Sequence, residues 1–237
     1  MNRGLRIYTR KNLKQTLLQT FFRNLSVTHW IILVNVVVFV VATILFLINQ
    51  ENLKYFALNP NFFMQGKYLW TLLISMFSHV YLWHLFANMI TLMFIGGFVE
   101  RLIGRKRYLR FYLISGIVAS LFFVLLAYFF GGSDLGRSLF GSPEIFALGA
   151  SGAVFGLAGL ITVLIPRMKV LAFFIIPMQI WVAMVFFLGF FWALSVFYGL
   201  PIGNSAHLGG FVTGMIYGAY LRNKFPRKVA RLGRMVG

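Results

Sequence analysis

Apolar residues fall here in long, nearly unbroken runs, not in the alternation of a half-buried strand or the narrow stripe of a surface helix. Runs near residues 29–49, 84–99, 108–130, 147–165, 170–198 and 203–221 approach the ~20 residues that carry a helix across a ~30 Å hydrocarbon core. The pattern predicts an all-α polytopic membrane protein with six spanning helices. Residues 68–83 are apolar as well, but 68–99 is too short for two crossings and a turn. That stretch is expected to form an interfacial first loop, with Tyr68, Trp70, Tyr81 and Trp83 at headgroup depth.

Composition agrees: 60% of residues are hydrophobic and only 11% charged, outside the range of ordinary soluble domains. Residues 1–24 are basic and carry no long apolar core, so no cleavable signal peptide is expected. The absence of cysteine removes disulfides, thiol nucleophiles and thiolate metal sites.

Charge sets the orientation. Of the 22 basic residues, 19 lie in the N-terminal segment, the turn around Arg101–Arg110, the turn holding Arg167 and Lys169, and the tail from Arg222. Lys/Arg excess marks cytoplasmic segments, so both termini are expected in the cytoplasm, as six crossings require. The division is then a basic cytoplasmic segment (1–28), a six-helix domain (29–222) and a basic tail (223–237). The net charge of +18 flanks membrane spans, which makes the bilayer its partner and leaves no need for nucleic acid.

Helix rise places a few polar residues at one level. Ser151, His207, Asn88 and His84 each lie 13–17 residues before the basic end of their runs, about 20–25 Å from it. Four side chains from three helices thus share the outer third of the bilayer, within reach of water from the non-cytoplasmic side. A lone membrane serine usually bonds a carbonyl one turn back, and a lone histidine near a helix start can simply cap it; coincident depth favours function. His29 and His79 read as interfacial, without chemistry. Gly210, Gly214 and Gly218 follow His207 on one face of the sixth run, while Gly152, Gly156 and Gly159 form a second small-residue face next to Ser151. Close packing of the two faces would bring imidazole and hydroxyl together.

Other hydrolase chemistries drop out. The single aspartate, Asp134, lies in an outer loop, so paired intramembrane aspartates are excluded. None of the four histidines precedes a glutamate as in H-E-x-x-H, no lysine lies within a span, and no carboxylate shares the depth of Ser151. A Ser-His dyad remains, needing neither metal nor cofactor.

The chain resembles the rhomboid intramembrane serine proteases over nearly its whole length. Gly149-Ala150-Ser151-Gly152 is similar to that family's nucleophile motif, Ala206-His207 with Gly210 to its base motif, and His84-Leu85-Phe86-Ala87-Asn88 to its H-x-x-x-N. Gly96-Gly97-Phe98-Val99-Glu100-Arg101 is similar to the end of its second helix, and one departure is Trp70-Thr71, where rhomboids commonly carry Trp-Arg. The resemblance implies a six-helix rhomboid bundle in which Ser151 attacks, His207 shuttles the proton, and Ser151, His84, Asn88 and Gly149 form the oxyanion site. It implies transmembrane proteins as substrates, and a fifth helix, kinked at Pro177, that moves aside to admit them. The expected location is a prokaryotic cell membrane, with the active site open to the non-cytoplasmic side. An inactive relative serving as a scaffold for membrane helices would share the architecture. A small transporter would be expected to show buried charges or a repeated half, whereas no Asp or Lys lies in any span and no clear internal repeat is found.

Overall fold

The computed structural model describes residues 25–172 and 175–236. The basic residues from Arg3 to Arg23, and with them most of the expected N-terminal segment, lie outside that range. Among the described residues, four helices are long and apolar enough to cross a membrane: α1 (Val27–Ile48), α4 (Leu82–Ile103), α5 (Arg105–Phe130) and α8 (Ile180–Tyr198). Two expected spans fall short by this measure, for different reasons. Helix α7 (Ser151–Leu164) has only 14 residues, or about 21 Å. Helix α9 (Asn204–Lys224) is long enough at 21 residues but is diluted by glycines and by Asn204, Ser205 and His207.

Helix α7 is buried along its length and α9 buries the face that carries His207, Gly210, Gly214 and Gly218, and glycine is what allows the two to approach. A Cβ on Gly210 would be driven into the Gly152 carbonyl, one on Gly214 into the Gly156 carbonyl, and one on Gly159 into the Phe211 carbonyl. Gly152 also faces the Ala119 methyl of α5, and Gly156 faces Ser115 of the same helix. The four packing positions expected from sequence, Gly152, Gly156, Gly210 and Gly214, therefore sit at one three-helix seam. Lipid tails are as apolar as leucine, so close backbone approach replaces the hydrophobic effect as the source of cohesion here.

A second tie joins the far end of the bundle. Helix α1 starts with Ser26, whose hydroxyl accepts from the His29 N–H. The amides of Val27 and Thr28 and the Thr28 hydroxyl all donate to the Glu100 carboxylate on α4, at 2.9, 2.8 and 2.7 Å. A buried anion placed on a helix N-terminus meets unpaired N–H groups and the positive end of the dipole. Helix α4 bulges to a π turn over Leu92–Gly96, just before this cap.

The first loop is ordered by small pieces: a 3-10 turn (Gln50–Tyr55), α2 (Pro60–Met64), α3 (Thr71–Ile74) and a 3-10 turn (Ser75–Phe77). Tyr68 stands edge-on to both Tyr55 and Trp70, and the Trp70 indole N–H donates to the Tyr55 carbonyl at 3.2 Å. Thr71 is buried, its hydroxyl donating to the Tyr68 carbonyl at 2.7 Å. An aromatic cluster thus holds the loop where an arginine was expected. Tyr81 and Trp83, at its end, are 71% and 80% exposed, as residues facing headgroups would be.

The fifth span is shorter than its sequence run. Strand β1 (Lys169–Ala172) pairs antiparallel with β2 (Ile176–Gln179) before α8 begins. Pro177 lies in β2 opposite Leu171, so the expected proline kink in a helix does not exist. An apolar run alone cannot separate strand from helix, and the β-branched and proline residues here favoured the strand. A short helix α6 (Asp134–Phe140) lies in the outer loop, and α10 (Pro226–Val236) turns Val229 and Leu232 back against the core while Arg227, Lys228, Arg231 and Arg234 stay exposed.

Gly214→Val is expected to lower the thermal midpoint in detergent, by about 1–3 kcal/mol of overpacking or more, because backbone blocks the added carbons. Gly189→Ala, where a Cβ meets nothing within 4 Å, should hold or raise it. Glu100→Gln should cost about 1.5–3 kcal/mol through the lost charge-assisted cap, read in the same melt.

Candidate active site

Ser151 is the first residue of α7, and the backbone before it is held from two sides. Leu58 and Ala147 exchange N–H and carbonyl bonds, both at 2.8 Å, and the Asn59 amide donates to the Glu144 carbonyl at 2.7 Å. The Gly149 N–H then donates to the Ser75 carbonyl at 2.9 Å, and the Ala150 N–H to His79 Nε2 at 3.4 Å. Burial, with His84 alongside, pushes the His79 imidazole down to about 3, leaving it neutral and able to accept that bond. The first loop therefore sets the entry angle of the helix that carries the serine.

Gly149 has φ +124°, which L side chains rarely adopt. A Cβ there would sit 2.7 Å from His84 Cε1 and 2.9 Å from Nε2. Glycine thus lets the His84 ring approach the backbone leading to Ser151. The N–H of Gly149, a residue expected in the oxyanion site, is bonded to Ser75, so what Gly149 offers there is space. Asn88 is buried one turn below His84 and gives one amide N–H to the His84 carbonyl at 2.9 Å, leaving the second proton of its –NH2 group.

The expected pair is brought together: Ser151 Oγ lies 2.8 Å from His207 Nε2. The imidazole is gripped by aromatic rings. Phe155, one turn after Ser151, stacks on it with centroids 4.5 Å apart and planes at 15°, and Phe191 of α8 tilts against it at 5.6 Å. His207 Nδ1 is buried with no hydrogen-bond partner among the described residues, so no third member completes a triad. Nor do the described residues group three His, Asp, Cys or Glu as a metal site would require.

Arrangement and chemistry fit one another. A hydroxyl bonded to a neutral imidazole is an activated nucleophile. The N–H groups of a helix's first turn have no intrahelical partner, and Ser151 opens such a turn. His84 and Asn88 lie on the adjoining helix. Sequence reasoning missed three contributors: His79, Phe155 and Phe191. Phe155 was accessible, being four residues from Ser151 and so on the same helical face; nothing in the pattern marked His79 or Phe191.

Comparison with known proteins gives a consistent answer. The Rhomboid domain family model matches residues 66–224. The chain is 33% identical over 158 residues to "Rhomboid protein 1, mitochondrial" of Saccharomyces cerevisiae, covering 66% of this chain and 43% of that protein. It is 31% identical over 173 residues to "Rhomboid protease GluP" of Bacillus subtilis, covering 73% and 30%. It is also 37% identical over 73 residues, 31% of this chain and 21% of the relative, to "Inactive RHOMBOID-like protein 8" of Arabidopsis thaliana. The chain thus spans less than half the length of these relatives. They come from a yeast, a bacterium and a plant, and one is mitochondrial, so the expected restriction to a prokaryotic cell membrane receives no support. With its Rhomboid domain match covering most of the sequence and its apolar helices, this chain is a multi-pass membrane protein that belongs to the rhomboid family.

Proposed function

We propose that this protein is an intramembrane serine endopeptidase that hydrolyses peptide bonds in or near transmembrane segments of membrane proteins. One observation carries the reading: the 2.8 Å contact between Ser151 Oγ and His207 Nε2, from two helices that only glycine allows to pack so closely. Six crossings with both termini cytoplasmic are part of the proposal, supported by the one-sided Lys/Arg distribution. Domain limits of 29–222, with basic flanks, follow from it.

Ser151 Oγ adds to the scissile carbonyl carbon as its proton passes to His207 Nε2. The tetrahedral oxyanion accepts hydrogen bonds from the Ser151 N–H and from the His84 and Asn88 side chains. Collapse breaks the C–N bond, and the imidazolium protonates the departing amine, leaving an ester on Ser151. Water, losing its proton to His207, attacks that ester; the ester C–O bond breaks and Oγ recovers the proton. The peptide must be unwound at the cleaved bond, because a hydrogen-bonded helix hides its carbonyls, so substrates with Gly or Pro near the outer end of a span are favoured. Helix α8 touches His207 through Phe191 and is the element that would move to admit them; with Pro177 outside the helix, this rests on position and on no kink.

A second reading has specific support in the relative named inactive: a scaffold that holds membrane helices without cutting them. Purified protein incubated with a single-span substrate distinguishes the two. Ser151→Ala and His207→Ala are each expected to lower kcat/KM on the order of 10⁴-fold or more, and Ser151→Ala to abolish labelling by a fluorophosphonate. Asn88→Ala should cost about 10²- to 10³-fold while labelling persists. An unmutated chain that neither cleaves nor labels would make the scaffold the correct reading.

A further inference from the structure

At the end of the bundle opposite Ser151 lies a cavity of about 400 Å³, bounded by Ser26, His29, Met93, Gly97, Arg101 and Arg105. It opens where α1 begins, α4 ends and α5 begins, three of the helices able to cross a membrane, and therefore at headgroup depth. The wall is divided in character. On one side Gly97 leaves open space, with no atom within 4 Å of an added Cβ, and Met93 and Phe94 continue from it as a surface 48% and 61% exposed. On the other side stand two guanidinium groups.

Those cations are underused within the chain. Arg101 gives its Nε–H to the Gly97 carbonyl at 3.0 Å, which leaves its two terminal amino groups for a ligand. Arg105 lies 3.5 Å from Glu100, a carboxylate already engaged by three donors of α1. Arg105 is also the first residue of a 26-residue helix whose cap, Gly104, supplies no side chain, so the first-turn N–H groups of α5 add positive potential. Counting Glu100, the rim is net positive.

We propose that this cavity binds one anionic phospholipid of the adjoining leaflet, its phosphate on Arg101 and Arg105 and an acyl chain along Gly97, Met93 and Phe94. A lipid suits the site better than a soluble anion, because charge complementarity accounts for the arginines and only a chain accounts for the apolar gap beside them. The occupant would bridge the end of α4 to the start of α5. It is independent of whether Ser151 is catalytic.

Full-length protein in phosphatidylcholine nanodiscs, carrying traces of spin-labelled phosphatidylglycerol or spin-labelled phosphatidylcholine, tests the assignment by the motionally restricted fraction. A preference for the glycerol lipid is expected, falling at least about fivefold in Arg101→Gln/Arg105→Gln, given the typical worth of a surface cation toward anionic lipid. The same charge change at Lys106→Gln/Arg107→Gln, exposed neighbours that do not line the cavity, should remove much less. Gly97→Leu, filling the gap, should abolish the preference with both arginines present. Equal restriction of the two lipids, equal loss from both charge pairs, a preference intact in folded Gly97→Leu, or displacement by inorganic phosphate would each overturn the proposal. If Gly97→Leu does not fold, the comparison of the two charge pairs decides.

Discussion

Everything near the candidate site depends on the backbone contact between α7 and α9. Each helix places a glycine where the other presents a carbonyl, Gly210 and Gly214 of α9 on Gly152 and Gly156 and Gly159 of α7 on Phe211, so the axes approach to a separation that no side chain would permit. Only at that separation can a side chain as short as serine reach a histidine on another helix. The 2.8 Å contact is therefore a consequence of absent methyl groups, and the polarity that keeps α9 below the hydropathy of a simple span is the composition such packing requires. The same seam takes in Ala119 and Ser115 of α5, which fixes the pair against rotation.

Distance is set by that seam; direction is set by the first loop. Ser75 holds the Gly149 N–H and His79 the Ala150 N–H, and the bond pair between Leu58 and Ala147 anchors the segment further back. The loop is itself cross-braced by Tyr55, Tyr68 and Trp70. In the proposed reaction this matters because an oxyanion donor works only if it is aimed before the charge develops. The positive φ at Gly149 and the close approach of the His84 ring are two halves of one arrangement, since any side chain at 149 would displace the imidazole.

Much of this was legible in the sequence, and the parts that were not share a cause. Helix rise alone put Ser151, His207, His84 and Asn88 at one depth, and the 100° periodicity put the glycines on facing sides, because both depend only on regular helix geometry. The hairpin at 169–179 was hidden because an apolar run looks alike in a buried strand and a helix. Gly149 was placed in the oxyanion site, but its N–H is bonded to Ser75, a pairing between distant segments that no local pattern encodes. Position 71 stands out by a missing arginine, and its replacement, a cluster of rings, is drawn from residues whose aromatic character first suggested only membrane contact. Local geometry was readable; contacts between distant segments were not.

The absence of a third group beside His207 has a physical reading. In a Ser-His-Asp triad the carboxylate fixes the imidazole tautomer and stabilises the imidazolium formed on proton transfer. A buried carboxylate inside a bilayer would carry a heavy desolvation cost, and among the described residues none bonds to Nδ1. In the proposed reaction Phe155 and Phe191 would take over part of that role. Stacking at 4.5 Å fixes the plane of the ring, and the π face offers an attractive surface to a cation that forms only transiently. Orientation is thus obtained without a permanent charge, and the stabilisation of the developing imidazolium is correspondingly weaker. A proposed dyad of this kind would trade rate for tolerance of a low-dielectric site, which suits an enzyme whose substrates are already concentrated in the plane of the same membrane.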